Sequence, residues 1–485
     1  MIEHFDLVVI GAGPAGEKGA AQAAYFGKRV CVIERAPKPG GAAVNTGVIP
    51  AHTLRETALY FSGRRQRGIH GIEYNIKHDL RLSDFMYRER SVVEAEWEQI
   101  SDNLRRHEIT AIQGSAAFIE SNTVEVSRYG QESRLISGDH FLVTAGSRPL
   151  LPPNGVTVDG RVIVDSDSVL TLDKIPTSMI VVGGGVVGCQ YASIFAALGV
   201  RVTLVSLRPR ILTHIDAEIS EALSQQLTSR HGVSVHSGAE VTRIETEGDQ
   251  ARATLSNGFE VSADCLLYAA GRRGNSAGLG LEQLGVRTDD RGFVQVDEEY
   301  RTAVPHIFAA GDVIGFPALA STSMEQARLA VCHAFELRYK QRLASLVPYS
   351  VWTIPEIASV GETEEALASR GVPFEVGRAS FHGNPRGQIL GETDGFLKLI
   401  FHPDDQRLLG VSIIGEGACE LIHVGMTCMA FGGTIDFFIQ SVFSFPALAD
   451  AYKYAAYDGL QALARRYAKR QGLPSSQSTR RLPTR

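Results

Sequence analysis

Thiol chemistry is the first thing this sequence lacks. Among its 485 residues are only six cysteines, scattered along the chain with no C-x-x-C or C-x4-C pair. Scattered cysteines are typical of small buried apolar residues, and a protein without paired cysteines fits a reducing compartment. We therefore expect neither structural disulfides nor a dithiol relay, and we expect no metal site.

The sequence also has no run of the roughly 18 apolar residues that a membrane helix needs. Its net charge of −6 gives no general attraction to nucleic acid or to acidic membranes. The first apolar run leads directly into a glycine-rich loop, unlike a signal peptide. We expect a cytoplasmic globular protein of about three domains, with no nucleic-acid and no membrane partner.

What the sequence does contain begins with Phe5–Ile10, an almost continuous apolar run that predicts a strand buried on both faces. Gly11, Gly13 and Gly16 follow at once. In this pattern the first glycine permits a tight turn and the second lets a pyrophosphate approach the backbone. The third lets the next helix pack closely, and the N–H groups at the start of that helix face the phosphates.

A second strand, Arg29–Ile33, ends in Glu34. A carboxylate at this distance from the glycines suits the hydroxyls of an adenosine ribose. Glycines then break residues 38–47 into a loop, and Pro50 can occupy the first turn of a helix that runs to about Gly63. Beyond it, residues 84–107 show helical periodicity and residues 109–136 alternate like hairpin strands.

The apolar run Met179–Val182 begins a second unit of the same kind, and its strand Val200–Val205 is followed by Ser206 where the first unit has its acid. Arg208 and Arg210 lie just beyond. An acid would select the ribose hydroxyls of NAD and repel a 2′-phosphate, whereas a small hydroxyl with nearby arginines tolerates or favours NADP. Surface arginines on an ordinary loop are the alternative. The three glycines that repeat the first pattern are Gly183, Gly185 and Gly188.

Later segments complete the outline. The run Ile307–Gly311 ends in Asp312, and an acid at the end of such a strand can bind the hydroxyls of a flavin's ribityl chain. Strands are predicted at 396–401 and 408–414, a helix from 416 and a last helix over 447–466. Residues 465–485 hold seven Arg or Lys and several serines. They predict a solvated, disordered tail, with nucleic-acid binding as a minor alternative.

Taken together, the motifs resemble the flavoproteins with two dinucleotide-binding domains, the family of glutathione reductase and dihydrolipoamide dehydrogenase. The resemblance runs from about residue 4 to residue 465. The motifs that carry it are, in order, G-x-G-x-x-G, the loop at Gly41, A-G-S-R-P, a second G-x-G-x-x-G, A-G-R-x-G-N, A-A-G-D and P-E-x-A-S-V-G.

The resemblance implies an α/β fold with two Rossmann-like domains, for FAD and NAD(P), and a C-terminal α+β domain that forms a homodimer. The implied boundaries are 1–150 with 272–345 for FAD, 151–271 for NAD(P), 346–466 for dimerisation and 467–485 for the tail. The residues implied for FAD are Gly11, Gly13, Ala15, Gly16, Glu34, Arg35, Gly40, Gly41, Ala42, Gly47, Ala145, Gly146, Asp312 and Ala320. Those implied for NAD(P) are Gly183, Gly185, Gly188, Ser206, Arg208 and Gly271.

The departures from the family bear on the reaction. Members that reduce disulfides carry C-x4-C after the paired glycines, and Ala43 and Val48 stand at those two positions. Neither side chain has a nucleophile, so an internal thiol relay is excluded. Those members also have a histidine and a glutamate near the late proline, where this chain has Phe445 and Asp450.

A lysine and a glutamate beside flavin N5 are replaced by His52 and Gln190. These two residues are the catalytic candidates that the resemblance implies. The loss of both charges together avoids one unpaired buried charge, and a His–Gln hydrogen bond could fill the space. A positive charge near N5 assists hydride arrival, so the replacement affects the flavin's potential and rate.

Four further features are Glu17, Y-A-S-I-F at 191–195, D-V-I-G-F-P at 312–317 and F-S-F-P-A-L-A-D-A-Y at 443–452. With them the chain resembles, within the family, the soluble, FAD-dependent pyridine nucleotide transhydrogenases. This similarity implies hydride transfer from NADPH to flavin N5 and from there to NAD, without a protein acid or base. A nicotinamide-dependent quinone or dye reductase is one alternative, with Phe443 and Phe445 available to stack on a ring. A non-catalytic, nucleotide-sensing flavoprotein is the other.

Overall fold

The structure is a computed structural model, and it describes residues 2–62 and 82–470. These residues form two compact units. The first unit takes 2–54, 82–175 and 267–344, and the second takes 55–62, 176–266 and 345–470. The predicted tail falls mostly outside the described residues, and the boundaries of the three predicted domains stay a prediction.

The strands of the described residues range from two to ten residues in length. They are β1 Glu3–Ile10, β2 Val30–Glu34, β3 Thr110–Gln113, β4 Ser115–Glu120, β5 Thr123–Ser127, β6 Arg134–Val143, β7 Ser147–Pro149, β8 Ile163–Val164, β9 Ser178–Val182, β10 Arg201–Ser206, β11 Ser234–Ser237, β12 Val241–Glu247, β13 Gln250–Leu255, β14 Glu260–Ala263, β15 Cys265–Tyr268, β16 Arg272–Gly274, β17 Ile307–Ala309, β18 Tyr349–Val351, β19 Ile357–Gly361, β20 Glu375–Ser380, β21 Phe396–Phe401 and β22 Leu408–Ile414.

The α-helices of the described residues range from four to 20 residues in length. They are α1 Pro14–Tyr25, α2 Gly41–Asn45, α3 Val48–Phe61, α4 Leu82–Phe85, α5 Tyr87–Arg106, α6 Val186–Ala197, α7 Ala217–His231, α8 Ala320–Ala334, α9 Glu364–Ser369, α10 Pro385–Leu390, α11 Ala418–Ala430, α12 Ile435–Gln440 and α13 Ala451–Arg470. No helix within residues 2–62 and 82–470 combines the length and apolarity needed to cross a membrane.

The first unit is built on a seven-stranded sheet with the order β3-β2-β1-β6-β5-β4, in which β17 also pairs with β6. Strands β1, β2, β3, β6 and β17 run parallel, with Val8 opposite both Cys31 and Phe141. The central strands are apolar on both sides because one core lies on each face of the sheet. This burial confirms the interpretation of Phe5–Ile10.

The structure corrects three local predictions in the first unit. Residues 109–136 are not all hairpin strands, because β3 pairs in parallel with β2 while β4, β5 and β6 form the antiparallel part. Alternation reveals a half-buried strand but not its direction. The predicted helix over 84–107 begins at Tyr87, since Met86 caps it after the separate short helix α4. The predicted loop at 38–47 contains the short helix α2. This helix begins after Gly40, whose backbone has the left-handed conformation.

The second unit contains a sheet with parallel strands and two antiparallel sheets. In the first of these, β9, β10 and β11 run parallel, with Thr203 opposite both Ile180 and Ser234. One antiparallel sheet has the order β12-β13-β14. The other, which we call the C-terminal sheet, has the order β18-β19-β22-β21-β20 and packs its apolar side against α11 and α13. The bounds of β21 and β22 match the predicted strands at 396–401 and 408–414.

Candidate functional site

The first glycine-rich turn lies between β1 and α1, where only glycine fits. Gly11 has φ +107°, and a Cβ there would lie 2.5 Å from the Thr144 carbonyl oxygen. A Cβ on Gly16 would lie 1.8 Å from the Gly11 carbonyl oxygen, so the helix can approach the strand only without a side chain. These are the roles that the sequence pattern predicted for the first and third glycines.

The second glycine of the turn faces another glycine-rich segment. A Cβ on Gly41 would lie 2.9 Å from the Cα of Gly13, so the two backbones approach each other without side chains between them. Helix α1 starts at Pro14 with Gly13 as its N-cap and no side-chain cap. The first N–H groups of α1, including that of Ala15, therefore have no partner within the helix and can receive an anion.

Glu34 is the last residue of β2, and its carboxylate is bound to the glycine-rich turn. One oxygen accepts a hydrogen bond from the Ala12 N–H at 2.7 Å, and the other accepts one from the Ala36 N–H at 2.8 Å. Each oxygen keeps acceptor capacity for a further donor such as a ribose hydroxyl. Arg35 beside it is exposed. Glu34 thus shapes the turn as well as offering a negative charge at its edge.

Helix α2 lies in the segment after the paired glycines, where the resemblance predicts a C-x4-C pair in disulfide-reducing members of the family. Its last residue, Asn45, donates to the carbonyl oxygens of Pro39 (3.2 Å) and Gly41 (2.8 Å) and accepts the Trp97 indole N–H at 2.9 Å. These bonds fix the paired glycines against helix α5. The remaining sequence-predicted residues of this segment are Gly40, Ala42 and Gly47, all of which lie in or beside α2.

The two positions that would carry thiols lie in this same segment. Ala43 is in the middle of α2, and Val48, the first residue of α3, is 45% exposed. His52 is half-buried one turn further along α3. Gln190 is half-buried in α6, where its carbonyl oxygen accepts from the Ser193 hydroxyl at 2.8 Å. His52 and Gln190 belong to different compact units, so their predicted pairing stays a prediction.

Asp312 is held by a short chain of polar contacts inside the first unit. Its carboxylate accepts a hydrogen bond from the Ser147 hydroxyl at 2.8 Å. That hydroxyl in turn accepts from Arg272 Nε at 2.7 Å, and the Arg272 guanidinium also donates to the Ser147 carbonyl oxygen at 2.9 Å. The Asp312 carboxylate is therefore oriented by a buried serine and keeps acceptor capacity for further hydroxyl donors.

The A-G-S-R-P and A-G-R-R-G-N motifs form one structure. Strands β7 and β16 pair antiparallel, with Ser147 opposite Gly274. Asn275 closes the turn by donating to the Ala145 carbonyl oxygen at 3.0 Å, and its own N–H donates to the Gly146 carbonyl oxygen at 3.0 Å. Ala320, the first residue of α8, follows the Asp312 turn after five intervening residues of loop. All the residues predicted for FAD thus lie within the first unit.

The second glycine-rich turn repeats the geometry of the first. Gly183 has φ +127°, and a Cβ on Gly188 would lie 1.8 Å from the Gly183 carbonyl oxygen. Gly185 is the N-cap of α6, again without a side-chain cap. Gly271, also predicted for NAD(P), lies in the first unit, where its carbonyl oxygen accepts the Leu150 N–H at 3.0 Å.

Ser206 is the last residue of β10, as Glu34 is the last of β2. Its side chain is 2% exposed, and its hydroxyl donates to the Arg208 carbonyl oxygen at 3.2 Å. The same carbonyl oxygen accepts the Gly238 N–H at 2.9 Å, while the Arg208 side chain is exposed. The structure thus holds the backbone of Arg208 firmly and leaves its guanidinium in solvent.

Arg210 has protein partners of its own, and its role toward the nucleotide stays a prediction. Its guanidinium donates to the Ile215 carbonyl oxygen at 3.4 Å and lies 3.9 Å from a Glu365 carboxylate oxygen. Glu365 lies far along the sequence, on α9, so the sequence near Ser206 did not reveal this contact. Arg208 is the exposed cation of this turn.

All six cysteines are buried, and none forms a disulfide. Burial raises the pKa of Cys31 and of Cys189 to about 12 and that of Cys428 to about 11. It also raises the pKa of Cys332 and of Cys419. A buried thiol with a raised pKa is a poor nucleophile, which confirms the prediction of small buried residues. No cluster of three or more His, Cys, Asp or Glu suited to a metal ion lies within residues 2–62 and 82–470.

Two segments of the chain match models of one protein family. Residues 5–331 match the pyridine nucleotide-disulphide oxidoreductase family, and residues 347–456 match the dimerisation domain of the same family. The chain belongs to this family. The match covers both glycine-rich turns and the antiparallel sheet of the second unit, so the predicted family and fold class are confirmed.

Curated relatives within the pyridine nucleotide-disulphide oxidoreductase family are similar over nearly their whole length. The soluble pyridine nucleotide transhydrogenase of Mycobacterium bovis is 40% identical over 458 residues, covering 94% of this chain and 97% of the relative. The protein of the same name from Yersinia pestis is 39% identical over 464 residues, covering 95% and 99%.

Solved structures agree on the fold. LpdA from Mycobacterium tuberculosis has a TM-score of 0.85 at 26% identity, covering 94% of this chain and 99% of the other. The Cu(II) complex of the HOCl-induced flavoprotein disulfide reductase RclA from Escherichia coli has a TM-score of 0.84 at 27% identity, with the same coverage. The second of these is named as a disulfide reductase, whereas this chain has Ala43 and Val48 where the family's cysteine pair stands.

Proposed function

We propose that this member of the pyridine nucleotide-disulphide oxidoreductase family transfers hydride between NADPH and NAD through a bound FAD. The observation that carries the proposal is the combination of two intact glycine-rich turns with the loss of the thiol pair at Ala43 and Val48. Relatives that are 40% and 39% identical to this chain carry the name soluble pyridine nucleotide transhydrogenase.

The first unit has the features that FAD requires. The first N–H groups of α1 have no partner within the helix, and the Gly13 and Gly41 backbones beside them meet without side chains, which suits a pyrophosphate at the start of α1. The Glu34 carboxylate lies at the edge of the turn and suits the adenosine ribose. Asp312, oriented by Ser147, suits the hydroxyls of the ribityl chain.

Bound FAD would supply the hydride acceptor and donor that amino-acid side chains lack. The chain contributes binding and orientation, because hydride transfer between two nicotinamides needs no thiolate and no protein acid or base. Phe445 and Asp450 at the positions of the family's acid–base pair agree with this division of work. His52 and Gln190 remain proposed neighbours of the reacting atoms.

Selection of the nicotinamide nucleotide is assigned to the turn after β10. A buried hydroxyl at Ser206 presents no negative charge to a 2′-phosphate, and the exposed Arg208 guanidinium can pair with it. NADH loses little here, since no carboxylate holds its ribose. A site that accepts both nucleotides is what a transhydrogenase requires, because NADPH and NAD must bind in turn.

We further propose a cytoplasmic homodimer. The C-terminal segment of the second unit matches the dimerisation domain of the family. Five exposed apolar side chains lie between residues 431 and 454 of this segment, and a second copy of the chain would cover them. They are Phe431 (87% exposed), Phe437 (51%), Val442 (95%), Phe445 (77%) and Tyr454 (56%).

The function is tested by anaerobic stopped-flow mixing of the purified holoenzyme with NADPH. We expect rapid loss of the visible flavin absorbance, followed by its full recovery on addition of NAD. Thiol alkylation beforehand should change neither phase, because the six cysteines are buried. No bleaching by either nucleotide would contradict the proposal and leave a nucleotide-sensing flavoprotein.

A quinone or dye reductase is the second candidate, and the exposure of Phe445 favours it. An exposed ring could stack on a quinone in the isolated chain. The same ring lies within the segment that matches the dimerisation domain, which favours burial in the dimer. In the stopped-flow experiment, recovery of absorbance with a quinone but not with NAD would select this candidate.

A further inference from the structure

The turn that carries Arg208 continues as a ten-residue loop, residues 207–216, that leads to helix α7. We call it the 207–216 loop. At its start, Arg208 receives the two hydrogen bonds described above. In its middle, the Leu212 N–H donates to the Gly184 carbonyl oxygen at 2.8 Å. The end of the loop is fixed by charged residues of the C-terminal sheet and of helix α9.

The end of the loop meets a buried ammonium group. Lys398, on β21, is 1% exposed, and its Nζ donates to both carboxylate oxygens of Asp216 at 2.8 Å. Asp216 is itself 1% exposed and caps helix α7 by accepting the Glu218 N–H at 3.1 Å. The same ammonium contacts Glu218 at 2.9 Å and also contacts Glu364 on α9. One lysine thus joins the loop end, the first turn of α7 and the C-terminal sheet.

A second cation completes the cluster. Arg378, on β20, donates to the two carboxylate oxygens of Glu218 at 2.7 and 2.9 Å. The cluster therefore has two cations, on Lys398 and Arg378, and three carboxylates. Loss of the lysine charge leaves Asp216, Glu218 and Glu364 facing one remaining guanidinium, so repulsion would separate the loop end from α9.

Helix α9 holds the loop at another point. Glu365 accepts the Ala217 N–H at 3.0 Å and lies 3.9 Å from the Arg210 guanidinium. The rings of His214 and Tyr349 pack edge to face with centroids 4.8 Å apart. The 207–216 loop is thereby held by the segment that matches the dimerisation domain, and not only by its own strand.

We propose that Lys398 is a positioning residue for recognition of the 2′-phosphate of NADPH, acting through Asp216 and the 207–216 loop on Arg208. The inference rests on the proposed function, since it presumes that Arg208 receives that phosphate. A guanidinium pairs well with a phosphate only when its backbone is held in register. The buried ammonium supplies the hold at the end of the loop opposite to Arg208.

The test measures binding of two fragments to the holoenzyme by calorimetry: adenosine 2′,5′-bisphosphate and 5′-AMP. The wild type should prefer the bisphosphate. Lys398→Met should reduce this preference by about three- to thirtyfold, the range over which residues without ligand contact alter coupling between sites. The steady-state KM for NADPH should rise accordingly, with a smaller change in kcat and in the KM for NADH.

Two further variants make the test specific. Asp216→Asn keeps a helix cap and removes the charge on the loop, so it should reproduce the reduced preference even if Lys398→Met fails to fold. Arg370→Met removes an exposed cation that lies 2.7 Å from Glu362 in the same unit and should leave the preference unchanged. In an Arg208→Ala background, Lys398→Met should cause no further loss of preference.

The outcomes separate this inference from the proposed function. A wild type that prefers the bisphosphate, together with variants that keep the full preference, would overturn the role of Lys398 and leave the function intact. An additive loss in the double variant would also overturn it. A wild type without any preference would remove the proposed 2′-phosphate contact, and the role of Lys398 with it.

Discussion

The sharpest test of nucleotide selection is Ser206→Glu, because the protein contains the precedent for it. Glu34 ends β2 and Ser206 ends β10. Each of these strands follows a glycine-rich turn and its helix. In the first unit the glutamate is accommodated by hydrogen bonds from the Ala12 and Ala36 N–H groups. Gly184 and Arg208 hold the corresponding positions in the second unit. A glutamate at 206 can therefore place its carboxylate at the ribose edge.

The size of the effect follows from charge. Two unit charges about 4 Å apart interact by about 1 kcal/mol in water and by about 4 kcal/mol at an effective dielectric constant of about 20. The turn lies between these limits, since Ser206 is buried and Arg208 is exposed. We expect repulsion of the 2′-phosphate and a new ribose acceptor to shift the NADPH/NADH preference by roughly 1.4–3 kcal/mol, or about tenfold to a hundredfold.

The assay is the ratio of kcat/KM for NADPH to that for NADH, with a dye as acceptor. Most of the change should appear in KM, because the adenosine end is remote from the hydride. Ser206→Ala is the matched control: it removes the 3.2 Å hydrogen bond to the Arg208 carbonyl oxygen without adding charge, so NADPH should weaken modestly and NADH should not improve. An unchanged ratio in Ser206→Glu would mean that this turn does not hold the adenosine end.

Three more predictions follow from the same geometry. Glu34→Ala should weaken FAD by on the order of 1.5–3 kcal/mol, because a charged acceptor at the turn is lost; retention of FAD through extensive dialysis, equal to wild type, would contradict this. Reduction by two electrons should give no long-wavelength thiolate–flavin absorption band, since Ala43 and Val48 replace the thiols; a band that disappears on alkylation would count against this reading of the site. Burial acts to raise the pKa of Glu218, but hydrogen bonds from Arg378 and Lys398 hold it below the usual 4.5. The stability this provides is complete above about pH 4.5 and is lost as the pH falls through the lower folded-state pKa. The Tm difference between wild type and Glu218→Gln should therefore shrink on acidification from neutral pH, and a constant difference would refute the assignment.

Much of the nucleotide-binding architecture could be predicted from the sequence because local rules govern it. A buried parallel strand must be apolar, and a strand-to-helix turn this tight admits only glycine, as Gly11 and Gly16 show. The absence of the thiol pair could also be predicted from the sequence, because Ala43 and Val48 follow the paired glycines at fixed spacing. Strand direction was not, and the parallel pairing of β3 with β2 emerged only from the structure.

The parts that escaped prediction depend on residues far apart in sequence. Ser147 and Arg272 orient Asp312 from separate motifs, and their shared A-G pattern was the one available signal. Trp97 reaches Asn45 from a helix that showed only amphipathic periodicity. Arg210 lies 3.9 Å from Glu365, which is more than 150 residues further along the chain. Charge pattern along the chain cannot reveal such pairings.

The burial of the cysteines bears on how readily oxidants can modify this protein. Oxidants attack the thiolate form, and exposed thiols of low pKa are the ones that climb to sulfenic and sulfinic acids. Here the thiols are enclosed, and burial raises the pKa of Cys31 and of Cys189 to about 12. Peroxide or hypochlorite that inactivates a dithiol enzyme would find no such target among them. Hydride exchange between the two nicotinamide nucleotides through flavin alone would not depend on the oxidation state of any of these thiols.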